Sequence, residues 1–202
     1  MKKEISYIQI ENAIGGNQDW FLDPFMHGGG CGAVTACDIC IYLARERGLH
    51  SLYPFDAKQL TKKDYVHFSK RMKPFLHPRW QGIDTLDLYL SGIRAYWESV
   101  GCDKLEANGL LGTVSVEEAE TAVRRQIDEG MPIPYLLLKH ESPSFRDYVW
   151  HWFNLTGYEE SGGEFYVKAV TYGEFQWLNL KELWDTGYEK KGGMILVNFL
   201  SR

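Results

Sequence analysis

At Gly130 the apolar residues of this chain change their period, and that change restricts the architectures open to it. Upstream, they recur at spacings of three and four, the repeat of an amphipathic helix. Over residues 33–47, Val34, Ala36, Cys37, Cys40, Ile41, Leu43 and Ala44 nearly fill the helical surface, as in a buried helix that Gly48 closes. Thr61 and Asp64 mark the start of a second helix, through Tyr65, Phe68 and Met72, which ends before Pro74. Residues 83–100 give a third, with Leu86, Leu90, Ile93 and Trp97 on one face and Gly101 as its stop. A short strand is predicted at 104–108. Ser115 and Glu118 then form a capping box that opens a fourth helix through Ala119, Ala122, Val123 and Ile127. Downstream of Gly130 the segments are extended: an apolar run at 132–139, then strands at 149–158, 164–171, 175–178 and 194–200, with a short helix at 180–184. Helices first and an antiparallel sheet second predict an α+β fold. The expected organisation is one domain over 1–202, its helical half about 1–130 and its sheet half about 131–202. Residues 11–30, with five glycines and a proline, read as a loop that Trp20 and Phe21 pin to the body.

Composition narrows the function. The 202 residues are 45% hydrophobic and 14% aromatic, enough for a sizeable core. The net charge of −5 is scattered, with no run of like charge, which argues against a nucleic-acid groove or a polybasic membrane anchor. No stretch of about eighteen apolar residues is present to span a bilayer. The first ten residues carry two lysines but no apolar core of a signal peptide. The expectation is therefore a cytoplasmic protein with reduced cysteines, acting on peptides or small molecules, with neither nucleic acid nor membrane as partner.

Three of the four cysteines lie between positions 31 and 40, yet no second Cys-x-x-Cys or His pair completes a tetrahedral metal set. No metal and no cofactor are expected, and Cys37, Cys40 and Cys102 are assigned to the core. Cys31 is different. The run His27-Gly28-Gly29-Gly30 delivers it to the first turn of the apolar helix. There, unpaired N–H groups and the helix dipole favour a thiolate. Upstream, Asn17-Gln18-Asp19 places Gln18 as a candidate amide donor near the sulfur.

A cysteine nucleophile needs a base, and six histidines are available. His50, His67 and His77 fall in surface-like segments, His140 ends a strand, and His27 rides on the glycine run. His151 lies in Tyr148-Val149-Trp150-His151-Trp152-Phe153-Asn154-Leu155-Thr156-Gly157-Tyr158, on a strand among aromatics. Alternation puts Trp150 and Trp152 on the face opposite His151, and Trp177 is placed over the cleft. The tryptophans as a group, Trp80 among them, are assigned to core or cleft wall rather than to base stacking.

A Cys-Gly at the head of a long apolar helix, followed far downstream by His-Trp-Phe-x-Leu-x-Gly-Tyr and a hairpin, resembles the papain-like cysteine peptidases. Within them it is most similar to the bacteriocin-leader-processing (double-glycine) peptidases and their single-domain relatives. The likeness runs from about Gln18 to the last strand, while residues 50–112 match nothing in it. The resemblance implies a papain-like fold and a peptidase or amidase working through an acyl-enzyme, with Cys31 as nucleophile and His151 as acid and base. It implies Gln18 as the oxyanion amide, an Asp23-Pro24 loop separating it from the cysteine. The family's orienting Asp or Asn is replaced: Thr171 stands at that position, with Glu174 and Asn179 as other candidates. An acyltransferase using the same intermediate, and a catalytically silent peptide- or small-molecule-binding module, are the rival readings. Specificity is assigned to loops 49–60, 74–84 and 140–148.

Overall fold

A computed structural model describes residues 1–79 and 82–200. Trp80 lies outside the described residues. Nine strands and six α-helices follow in the order β1 (Lys2–Glu4), β2 (Gln9–Ile10), β3 (Ala13–Ile14), α1 (Pro24–Gly29), α2 (Cys31–Glu46), α3 (Lys62–Met72), α4 (Leu86–Ser99), β4 (Leu105–Leu111), α5 (Val116–Asp128), β5 (Ile133–Leu137), β6 (His151–Ser161), β7 (Glu164–Thr171), β8 (Glu174–Asn179), α6 (Leu180–Trp184) and β9 (Gly193–Phe199). Seven strands form one antiparallel sheet in the order β4-β9-β5-β6-β7-β8, and β1 pairs with the later part of β6. The fold is α+β, with helices packed on a large antiparallel sheet. Among the described residues no helix is long and apolar enough to cross a membrane.

The continuous apolar run of β5 has a physical reason: both faces of the sheet are covered. Ile133, Tyr135 and Leu137 point into a core with Ala119, Val123 and Ile127 of α5 and with Phe153 and Leu155 of β6. Leu136 and Leu138 point the other way, into a core shared with α2, α3, α4 and Trp152. β9 divides its side chains in the same manner, Met194 and Leu196 against Ile195 and Val197. α2 is enclosed on all sides, its residues buried from Cys31 to Ala44. Its small residues permit this. A Cβ at Gly32 would sit 3.0 Å from the Ile83 side chain and 3.5 Å from the Trp152 ring.

The capping signals mark real helix starts. Thr61 accepts the N–H of Asp64 and Ser115 that of Glu118, and the positive-φ glycines Gly48, Gly101 and Gly130 follow helix ends. The third helix begins at Leu86 rather than 83 because Thr85 caps it, accepting from the Leu88 N–H at 3.2 Å. The 104–108 strand extends to Leu111, paired along its length with β9.

Residues 11–30 correct the expected loop. Asp23 accepts the N–H groups of Phe25 and Met26, Pro24 occupies the first helical turn where its missing N–H costs nothing, and α1 forms. The glycine run is therefore the end of a helix rather than a free loop: the Gly30 N–H bonds Met26 O at 2.9 Å while its carbonyl accepts from Val34. A Cβ at Gly30 would collide with the Met26 carbonyl, so glycine is required where α1 turns into α2.

Trp152 joins the halves. It is 1% exposed, stacks on Tyr89 of α4 at 4.4 Å, and donates its indole N–H to Ile83 O at 2.6 Å. Trp152→Ala should cost about 3–5 kcal/mol in urea unfolding; a loss under about 1 kcal/mol would show that the contact carries no such weight.

Candidate active site

The structure brings three of the four expected residues to one cleft. A cavity of about 600 Å³ is lined by Gln18, Cys31 and His151, with Phe25, Trp150 and Tyr172 among its walls. Thr171, the fourth, reaches His151 from behind rather than lining that cavity.

Cys31 is the first residue of α2, so its own N–H and those of Gly32 and Ala33 have no partner within the helix. Its side chain is buried, and burial pushes the thiol above its ordinary range. The N–H groups of Trp152, Gly32 and Cys31 itself point toward the sulfur and oppose that shift without cancelling it. The Trp152 N–H belongs to the peptide that joins Trp152 to His151, which sets the sulfur against the start of β6. Against the expectation of a favoured thiolate, the helix terminus is outweighed by desolvation.

His151 is the first residue of β6, and Thr171 the last of β7. Antiparallel pairing of the two strands, Asn154 opposite Val170, brings these ends together. The imidazole Nε2 lies 2.6 Å from Thr171 Oγ1, and Nδ1 has no protein partner among the described residues. Tyr172 stacks on the ring, centroids 4.9 Å apart and planes 1° from parallel. Burial alone lowers the imidazole to about 4, with no carboxylate among the described residues opposing it. Neither of the other candidates bonds the ring: Asn179 bonds Glu164 and caps α6, and the Glu174 carboxylate makes no bond to His151 among the described residues.

Gln18 sits in a 3-10 turn, residues Gln18–Trp20, that Asn17 caps through the Asp19 N–H. Its Oε1 is buried and without a hydrogen-bond partner among the described residues. Phe21 stacks on Tyr65 and Trp20 meets the same ring edge-on, so this segment is pinned as expected.

Other expectations need correcting. Trp150 and Trp152 do not share a face. Trp152 is in the core, whereas Trp150 has φ +55 and is 45% exposed on the cleft wall, because its backbone turns into β6 while its N–H bonds Leu138 O. Trp177 does not cover the cleft; it lies beneath Lys2 of β1, 4.5 Å from the ammonium. His27 is exposed on α1 and points to no cleft position, and His140 bonds Glu182 O. Of the predicted specificity loops, 74–84 and 140–148 contribute Pro78, Arg79, Asp84 and Asp147, but 49–60 contributes nothing, and α1 takes its place with Pro24 and Phe25. Cys37, Cys40 and Cys102 are free and buried.

Two features went unread in the sequence. Tyr172 belongs to a Tyr-Gly turn between strands, a visible signal for a hairpin but not for a ring against His151. Asp38 is the one charged residue in the buried stretch of α2 from Cys31 to Ala44, a signal visible in the sequence; it is 3% exposed and raised to about 6 by burial.

No family model, curated protein or solved structure matches the chain.

The site has a signature in stability. With His151 near 4 when folded and 6.5 when unfolded, the unfolded chain binds an extra proton between these values. Stability from this residue is thus complete above about pH 6.5 and lost as pH falls toward 4. Relative to wild type, His151→Gln should gain on the order of 3 kcal/mol between pH 7 and pH 4 in chemical unfolding. A pH-independent difference would mean that His151 is not a buried neutral imidazole.

Proposed function

We propose that this chain is a cysteine hydrolase of papain-like arrangement that cleaves a peptide or small amide through an acyl-enzyme on Cys31. The observation that carries the reading is the shared cleft: a thiol at a helix N-terminus, an imidazole held at Nε2 whose Nδ1 has no partner among the described residues, and a Gln18 side chain whose buried Oε1 has none among them either.

The electrostatics define the starting state as a neutral thiol and a neutral imidazole. With Nε2–H donating to Thr171 Oγ1, Nδ1 keeps the lone pair and accepts the thiol proton as sulfur attacks the carbonyl carbon. The C–S bond forms, and the carbonyl π pair moves onto oxygen. That oxyanion is held by the Cys31 N–H and by Gln18, whose amide presents Nε2 after a half-turn of its last torsion. Collapse restores the carbonyl and breaks the C–N bond, the leaving amine taking the proton from His151. Water then attacks the thioester as His151 accepts its proton; collapse breaks the C–S bond, His151 returns the proton to sulfur, and the acid departs. An amine in place of water gives acyl transfer by the same steps. Four unpaired cysteines fit a reducing compartment such as the cytoplasm.

One observation favours the rival, a binding module that keeps the cleft: no carboxylate supports His151 among the described residues. Incubation with p-nitrophenyl acetate, read by mass spectrometry, separates the two. A hydrolase gives a single acetyl group on Cys31, lost in Cys31→Ala and slowed about 10²-fold or more in His151→Ala. Acetylation confined to lysines, or the same Cys31 rate without His151, would leave the binding module.

A further inference from the structure

The Asp38 carboxylate is buried inside α2, and every group that bonds it is a donor. The Gly16 N–H lies 3.0 Å from both of its oxygens. Tyr65 O–H donates to Oδ1 at 2.8 Å and Tyr7 O–H to Oδ2 at 3.1 Å. No cation pairs with it among the described residues; the other titratable groups that face it are Cys37 and Tyr89. Burying an anion this way is costly unless the donors are fixed, and here they come from three residues, Tyr7 and Gly16 of the N-terminal segment and Tyr65 of α3. Tyr7 O–H also accepts from Asn154 Nδ2 at 2.8 Å, and Asn154 lies three residues beyond His151 on β6. Tyr65 carries Trp20 and Phe21 on its ring, and Gly16 precedes Gln18 by two residues. The Gln18 turn is therefore anchored on both sides by one network. A side chain at Gly16 would collide with the Tyr65 hydroxyl, so the close approach of this backbone to α2 depends on glycine.

We propose that Asp38 is a positioning residue for the oxyanion amide: by holding Gly16 and Tyr65 it fixes the turn that carries Gln18 into the Cys31 cleft, and it ties that turn to β6 through Tyr7 and Asn154. The proposal rests on the reading of Cys31, His151 and Gln18 given above. Asp38 touches no reacting atom, so its influence runs through Gln18. Steps that develop an oxyanion depend on it, and steps at sulfur that do not are indifferent to it.

Two reagents make that distinction. Acylation of Cys31 by p-nitrophenyl acetate passes through an oxyanion, whereas alkylation by iodoacetamide displaces iodide at carbon and has none. Gln18→Ala should slow acylation about 10²-fold. Asp38→Asn, which turns an amide donor toward the Gly16 N–H, should slow it about tenfold or more, and Asp38→Asn/Gln18→Ala should be no slower than Gln18→Ala alone. Alkylation of Asp38→Asn should stay within about twofold of wild type. Tyr65→Phe and Tyr7→Phe each remove one donor and should slow acylation in the same direction, which keeps the test decisive if Asp38→Asn does not fold. Multiplicative effects of Asp38→Asn and Gln18→Ala, a parallel fall in alkylation, or wild-type acylation in the Asp38 and tyrosine variants would overturn the proposal while leaving the hydrolase reading intact. Absence of Cys31 acylation in the wild-type protein would overturn both.

Discussion

A carboxylate buried in the central helix, with no cation paired to it among the described residues, governs how the rest of this structure meets at its cleft. Asp38 is raised to about 6 because desolvation outweighs the hydrogen bonds it accepts, yet those bonds come from the N-terminal segment and from α3. An apolar residue there would leave the Gly16 N–H without its acceptor, Tyr65 O–H with only Val34 O, and the Tyr7 hydroxyl with only the bond it accepts from Asn154. The chain retains a costly ion where three elements must hold a fixed relation: the helix that begins at Cys31, the turn that contains Gln18, and, through Tyr7 and Asn154, the strand that begins at His151.

Burial also sets the chemistry of the cleft. The same enclosure that orders α2 raises the Cys31 thiol, and the packing of Tyr172 and Phe153 around His151 lowers its imidazole. A neutral pair results, unlike the ion pair that a helix N-terminus alone would suggest, because the terminal N–H groups act on a sulfur already stripped of water. In the proposed reaction the proton then moves during attack rather than before it. Thr171 can orient the ring but contributes no charge to stabilise its cation, so the hydroxyl and a carboxylate are not equivalent at this position.

Much of the fold was legible because local signals and packing agree. Thr61 and Ser115 cap their helices, Leu180–Trp184 and Glu164–Thr171 stand where periodicity puts them, and the apolar run after Gly130 is a strand covered on both faces. The failures have physical causes. α1 was hidden by its glycines, although Asp23-Pro24 is a helix-start pair. β1, Lys2–Glu4, is exposed and joins the sheet by pairing with β6, an association that no local pattern encodes. Trp150 departs from strand alternation because its backbone adopts φ +55 at the entry to β6. In the site, Cys31 and His151 could be picked by residue type and context, whereas the contact between Thr171 and His151 depends on the β6–β7 register, and the role of Asp38 on three distant donors.

The central claim is that Cys31, His151 and Gln18 converge on one carbonyl group. A crystal structure with an acetylated phenylalanine aldehyde tests it most directly, since a hemithioacetal reports nucleophile and oxyanion position together. The proposed mechanism requires a covalent bond to the Cys31 sulfur, with the new oxygen within hydrogen-bonding reach of the Cys31 N–H and the Gln18 amide. An aldehyde bound without a covalent bond, or an adduct whose oxygen faces neither group, would contradict it.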